Sequence, residues 1–74
     1  MKKLTQREFD VYMFIVEYHD NYGYSPSMRD ICKGVYLASP RSAAYYVQRL
    51  LEKEYISYTP RTPRSIVVKQ RTAV

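Results

Sequence analysis

Apolar side chains recur every three to four positions in the first third of the chain. The positions with this spacing are Val11, Phe14 or Ile15, Tyr18 and Tyr22. Such a period is typical of an amphipathic helix that buries one face. Thr5 and Glu8 stand ahead of it as in a capping box, where each side chain bonds the other residue's backbone N–H. The pattern predicts a first helix that begins near Thr5 and ends at Gly23.

A second, shorter helix is predicted after the loop "YGYSP", because a proline disfavours helix in the residue before it. Ser27 and Asp30 form a weaker cap at its start. Its short apolar face comprises Met28, Ile31, Cys32 and Val35. Gly34 falls near its end, and only a few residues separate it from Ser39. Two short helices joined by a tight turn are typical of a helix-turn-helix.

A third helix is predicted to begin at Ser39, whose side chain is expected to cap it. Pro40 occupies the first helical position, where its missing N–H costs nothing. The face assigned to the core carries Ala43, Val47, Leu50 and Leu51. The opposite face carries Arg41, Tyr45, Gln48 and Glu52, and the flank carries Ser42, Tyr46, Arg49 and Lys53. Tyrosines on this outer side fit either a cover for a small core or contact with a partner.

After Glu54 the apolar period changes to two, which is typical of strands. "YISYT" and "SIVVK" are predicted strands, with Ile56 inward and Ser57 outward, and "PRTPR" is a basic turn between them. The predicted fold is mainly α (α+β): a winged helix-turn-helix of three helices and a two-stranded β-hairpin wing. The domain is expected to span residues 1–69, with a frayed tail at 70–74.

The chain has 74 residues, enough for one domain. It carries 12 Lys and Arg against 7 Asp and Glu, a net charge of +5, which suits a polyanionic partner such as nucleic acid without identifying it. Cys32 and His19 are the only residues of their types. An internal disulfide, a thiolate cluster and a zinc site are therefore excluded, and we expect neither metal nor cofactor.

The apolar run "VYMFIV" is far shorter than the roughly 20 residues that span a bilayer, and no signal-peptide cleavage site follows it. We therefore expect a cytoplasmic protein without membrane contact. No nucleophile and base pair, metal set or glycine-rich phosphate loop is recognisable, so no catalytic residue is assigned and an enzyme is not expected.

The helix-turn-helix pattern and the basic charge favour DNA binding, and two other functions compete with it. A winged helix can serve as a protein-interaction module for another regulator or a polymerase subunit, since fold alone does not fix function. RNA binding is less favoured, because the A-form major groove is too narrow for a helix. Positive charge on the third helix and the wing together favours a DNA groove binder, whereas an adaptor should carry a large apolar patch.

The chain resembles the amino-terminal DNA-binding domain of the LexA repressors, the bacterial SOS regulators. The matching stretches are "LTQRE", "GYSPSMRDI", "LASPRSAAYYVQRLLEKEYI" and "PRTPRSIVV". The resemblance implies a sequence-specific repressor whose third helix enters the DNA major groove. The positions that would contact bases hold Ser39, Arg41, Ser42, Ala44 and Tyr45, with Tyr46 beside them. The arginine-containing wing tip holds Arg61 and Arg64.

Individual roles follow from side-chain chemistry. Arg41 can bond guanine O6 and N7 together, and Tyr45 can pack on a thymine methyl. Arg61 and Arg64 suit the phosphate backbone or a narrow minor groove. Weaker backbone contacts are expected from three further residues: Ser27, Arg29 and Lys53. Each also has an ordinary alternative, as a helix cap, a turn residue, a solvated cation or a charge that complements the helix dipole.

The chain departs from the family at three positions. Tyr36 stands where the family commonly has glycine, although tyrosine resists a positive φ. Ala44 and Tyr45 replace acidic and polar residues, so we expect a different operator. The self-cleaving half that joins two such domains is not among these residues, as in an excised domain or a stand-alone relative, for example one on a mobile element. We therefore expect a monomer that pairs only on a palindromic site.

Overall fold

Three helices are followed by two short strands in the computed structural model, which describes residues 3–59, 62 and 64–69. The helices are α1 (Gln6–Tyr22), α2 (Met28–Gly34) and α3 (Pro40–Glu52). The strands are β1 (Ile56–Ser57) and β2 (Val67–Val68), which pair antiparallel with Ile56 opposite Val68. This order confirms the predicted fold. Arg61 and the tail at 70–74 lie outside the described residues. Within the described ranges, no helix is both long and apolar enough to cross a bilayer.

The caps of the first two helices form as predicted. The Glu8 N–H donates to Thr5 Oγ1 over 3.2 Å, and the Thr5 N–H donates to Glu8 Oε1 over 3.0 Å. Ser27 and Asp30 make the same reciprocal pair at α2, which is a stronger cap than the sequence indicated. Gly23 ends α1 with φ 80°. Both helix starts are therefore closed by their own side chains.

The core lies where the three helices meet β1. Its most deeply buried side chains are Val11, Tyr12, Ile15, Ile31, Ala43, Val47, Leu50 and Ile56. Tyr22, which the period placed on the same stripe, is 59% exposed. Tyr22 is the last residue of α1, and its side chain lies outside the core cluster. Tyr22 instead packs on the ring of Tyr18, with centroids 4.5 Å apart.

The ladder between the strands is shorter than the two predicted five-residue runs. Within the described residues, the ladder pairs Ile56 with Val68 and Ser57 with Val67. Closer to the tip, the Ser65 hydroxyl bonds the Thr59 backbone. It accepts from the Thr59 N–H over 3.1 Å and donates to the Thr59 carbonyl over 2.9 Å. A side chain thus replaces the backbone pairing that would have extended the strands.

The turn between α2 and α3 contains a tyrosine in a left-handed conformation. Tyr36 has φ 58°, in the region expected to resist a bulky residue. The Leu37 N–H donates to the Cys32 carbonyl over 2.9 Å, as in a glycine-type helix end. The turn therefore keeps the geometry that glycine would favour, without glycine.

Candidate nucleic-acid interface

Helix α3 buries one side and exposes the other. Ala43, Val47 and Leu50 face the core with at most 1% of their surface exposed. The residues that the sequence assigned to a partner lie elsewhere on the helix: Arg41, Ala44 and Tyr45 are exposed, and Ser42 and Tyr46 are half-buried. The first two turns of α3 thus present arginine, serine and tyrosine side chains to the outside together.

Ser39 begins α3 differently from the way the sequence suggested. It occupies the N-cap position, but its side chain makes no capping hydrogen bond, so that prediction was wrong. Its φ is −157°, whereas the two working caps, Thr5 and Ser27, have φ of −70° and −84°. The first turn closes through the Ser39 carbonyl instead, which accepts from the Ser42 N–H over 3.0 Å. The hydroxyl is therefore not used by the helix.

The adjacent tyrosines of α3 have different surroundings. Tyr46 packs against the core cluster and is half-buried, while Tyr45 is 58% exposed. Their rings meet edge to face, with centroids 5.1 Å apart and planes at 77°. Tyr46 therefore buttresses Tyr45, which is the more accessible of the two.

The cations at the other end of α3 bind a buried carboxylate. Lys53 Nζ lies 2.5 Å from Glu8 Oε1, and Arg49 Nε lies 3.2 Å from Glu8 Oε2. Only 4% of the Glu8 side chain and 11% of the Lys53 side chain are exposed. Lys53 also donates to the Lys3 carbonyl. The structure thus places Lys53 in an internal network that joins α3 to α1, and its predicted backbone contact with DNA stays a prediction.

This network controls the pKa of Glu8. Burial alone would raise that pKa, but hydrogen bonds from Lys53, the Thr5 N–H and Arg49 together lower it from 4.5 to about 2. Glu8 is therefore ionised at neutral pH. Sequence reasoning recognised Glu8 only as a cap. The available signal was the pair of cations four residues apart on one flank of α3, which a buried acid would need.

Arg64 binds the body of the protein. Its Nη1 donates to the Ser25 carbonyl over 3.0 Å and lies 3.2 Å from Asp30 Oδ2. Its guanidinium also sits 4.8 Å from the centre of the Tyr24 ring. The Ser27 backbone N–H and then its hydroxyl, with smaller help from Tyr18 and Arg64, lower the pKa of Asp30. Arg64 thus fastens the end of the wing to the start of α2.

The start of α2 borders an open groove beside α3. Ser27 uses its hydroxyl for the cap of α2. Arg29 and Lys33 are exposed and make no ion pair within the part of the chain that the structure describes. They line the groove together with Tyr36 and Ser39. The predicted contact residues Arg29 and Ser39 therefore share one surface, which carries positive charge.

A short helix, a tight turn and an exposed second helix, followed by an antiparallel pair of strands, define a winged helix-turn-helix. The family model of the LexA DNA binding domain matches residues 1–65. The chain belongs to this family, which confirms the resemblance seen in the sequence.

Several curated relatives match almost the whole chain. It is 45% identical over 71 residues to a LexA repressor of Thermosipho melanesiensis, covering 96% of this chain and 35% of the relative. It is 38% identical over 73 residues to a LexA repressor of Staphylococcus haemolyticus, covering 97% of this chain and 35% of that protein. A LexA repressor of Carboxydothermus hydrogenoformans is 35% identical over 63 residues, 85% of this chain and 31% of the relative. The chain spans about a third of these proteins.

Proposed function

We propose that this chain is a LexA-like repressor domain that binds double-stranded DNA sequence-specifically, with the start of α3 in the major groove. The observation that carries the proposal is the sorting of cations on α3. Arg41 is exposed and makes no ion pair within the described residues, while Arg49 and Lys53 are held by Glu8. A helix that enters a groove needs free donors where it meets base edges.

The side chains near the start of α3 have complementary tasks. Arg41 bonds guanine O6 and N7, and Tyr45 packs on a thymine methyl. The uncommitted Ser39 hydroxyl meets a phosphate at the helix N-terminus. Ser42 and Ala44 lie close enough along the helix to touch the same base pairs, and Tyr46 supports Tyr45 from behind. Ala44 is small and apolar, and Tyr45 is aromatic. Because such side chains pack on thymine methyl groups, we infer an operator with thymine at this point.

Two of the remaining predicted residues, Arg29 and Arg61, act on the DNA backbone. Arg29, at the start of α2, meets a phosphate beside the groove, next to Ser27, the N-cap residue of that helix. Arg61 contributes charge from the wing tip. Arg64 contributes by fixing the wing against α2 rather than by reading sequence. We propose DNA binding without catalysis for these 74 residues, which act in the cytoplasm, where bacterial DNA lies.

We further propose that the free chain is a monomer and that two copies meet on a palindromic operator. A single domain contacts one half-site, so a second copy adds affinity only where helical phasing sets half-sites a turn or a multiple of it apart. Sedimentation of the free protein at micromolar concentration, followed by titration onto one and two half-sites, separates this arrangement from a preformed dimer.

Selection of bound sequences from random duplexes tests the proposal. We expect a selected site to bind at least about a thousandfold more tightly than a scrambled duplex at the same salt, the lower end for specific DNA-binding proteins. A ratio near one would reduce the interaction to charge attraction and defeat the proposal. Capture of a protein partner without any DNA preference would favour the interaction-module alternative.

A further inference from the structure

Tyr36 is a bulky residue that is both exposed and in a strained backbone conformation. Its backbone is left-handed, with φ 58°, and 89% of its surface is exposed. A bulky residue in this region is strained, and such strain persists only where the surrounding structure holds it. Within the described residues, the Tyr36 side chain makes no hydrogen bond, ion pair or ring contact. The contacts within the described residues therefore give no reason for a tyrosine at this position.

The backbone around Tyr36 is held firmly. The Arg7 guanidinium, reaching across from α1, donates to the Val35 carbonyl and, over 3.4 Å, to the Tyr36 carbonyl. The Leu37 N–H closes the turn onto Cys32. Because both sides of the turn are fixed, the ring of Tyr36 projects from a stable position. Because this position is already fixed, a contact made by the ring costs less conformational entropy on binding.

The surroundings of Tyr36 suit an anion. Tyr36 lines the open groove that also contains Arg29 and Lys33 of α2 and Ser39 of α3. Both cations are exposed, and the Ser39 hydroxyl does not cap its helix. Among the described residues that line this groove, Arg29 and Lys33 are the charged ones. A phosphate backbone is the partner whose charge complements them.

We propose that the Tyr36 hydroxyl donates a hydrogen bond to a DNA backbone phosphate beside the groove that α3 enters, with Arg29 and Lys33 on neighbouring phosphates. The inference rests on the proposed DNA-binding function and adds a contact in the turn between the two helices. The contact fixes how deeply α3 sits without reading sequence, because phosphates are alike at every base pair. It gives a reason for a tyrosine where glycine would relieve the strain.

Tyr36→Phe tests the contact directly, since it removes only the hydroxyl. We expect binding to weaken about tenfold, as for loss of a hydrogen bond to a charged group. Because tyrosine is neutral, the dependence of affinity on salt should stay unchanged, and so should base preference. Lys33→Gln should instead lower the salt slope by about 0.9, for one lost phosphate contact. Tyr22→Phe, at another exposed tyrosine, is the matched control and should bind as the wild type does.

Tyr36→Gly adds a readout that a purely structural residue would not give. Glycine accepts φ 58° without strain, so the thermal midpoint should rise while DNA affinity falls. Two results would overturn the inference: unaltered affinity in both Tyr36 variants, or a changed base preference, which would indicate a base contact. A wild-type chain that binds its selected site no better than scrambled DNA would instead refute the proposed function itself.

Discussion

The two ends of helix α3 carry similar charges and have different surroundings. At its start, Arg41 is exposed and lacks an ion pair within the described residues. About 18 Å further along the helix axis, Lys53 is nearly buried and bonded to Glu8, with Arg49 on the same carboxylate. The difference shows that counting basic residues on a helix does not identify its binding surface. The position of one buried acid decides which cations remain available.

The buried end carries a cost that its geometry offsets. Removing a carboxylate from water is unfavourable unless it is paired and hydrogen-bonded. Glu8 meets that condition, because it accepts from Lys53, Arg49 and the Thr5 N–H. The same contacts tie α3 to the first turn of α1, and so help to fix the position of the helix that carries the exposed Arg41. The buried end therefore supports the exposed one.

Of the changes that separate the two ends of α3, removal of the Glu8 charge should have the largest effect on stability. Glu8→Gln keeps an acceptor for the Thr5 N–H but leaves the nearly buried Lys53 without its counterion. We expect a loss of about 3 kcal/mol in the free energy of unfolding, near the low end for breaking a buried ion pair because Arg49 is partly exposed. Urea denaturation at neutral pH measures it.

Asp10→Asn is the matched control for Glu8→Gln. Asp10 is half-buried on α1 and its carboxylate is 3.6 Å from Arg7 Nη1, with 38% and 40% of the two side chains exposed. Its loss should cost less than about 1 kcal/mol. If both variants lost the same small amount, the Glu8 network would not be what holds α3 to α1.

Lowering the pH should cause part of the same loss of stability as Glu8→Gln, because it also removes the charge of Glu8. The pKa of Glu8 is lowered to about 2 in the folded protein, from 4.5. Its contribution is therefore complete above about pH 4.5 and disappears as the pH falls towards 2, with a loss of about 2–3 kcal/mol. Urea denaturation at a series of pH values should show this fall in the free energy of unfolding of the wild type. A fall of equal size in Glu8→Gln would assign the acid sensitivity to other carboxylates.

Much of the fold could be predicted because its signals are local. The capping pairs at Thr5 and Ser27 and the glycine at Gly23 act within a few residues, so the sequence placed α1 and α2 well. Pro40 marked the start of α3 in the same way. The strands came out shorter than predicted because the Ser65 hydroxyl replaces backbone pairing near the tip, and alternation alone does not reveal such a substitution.

The details of the candidate site depend on distant contacts. The cations bound to Glu8 lie 41 and 45 residues away along the chain, and the hydrogen-bond and ion-pair partners of Arg64, which are Asp30, Ser25 and Tyr18, are 34, 39 and 46 residues away. No local pattern specifies which of them meet. The cap at Ser39 failed because side-chain capping depends on φ, which the residue type does not determine. The strained Tyr36 turn likewise becomes visible only in three dimensions, although a missing glycine pointed to it.

The base preference of Arg41→Ala tests the central claim most directly. Sites should be selected from random duplexes with the wild type, with Arg41→Ala, and with Lys3→Ala, which removes an equal charge near the opposite end of α3. We predict that Arg41→Ala loses about 2 kcal/mol of discrimination at one base pair and keeps the rest, as for one bidentate arginine. Lys3→Ala should keep every preference. Unchanged preferences in Arg41→Ala, or an equal loss in Lys3→Ala, would contradict the assignment of the exposed start of α3 to sequence reading.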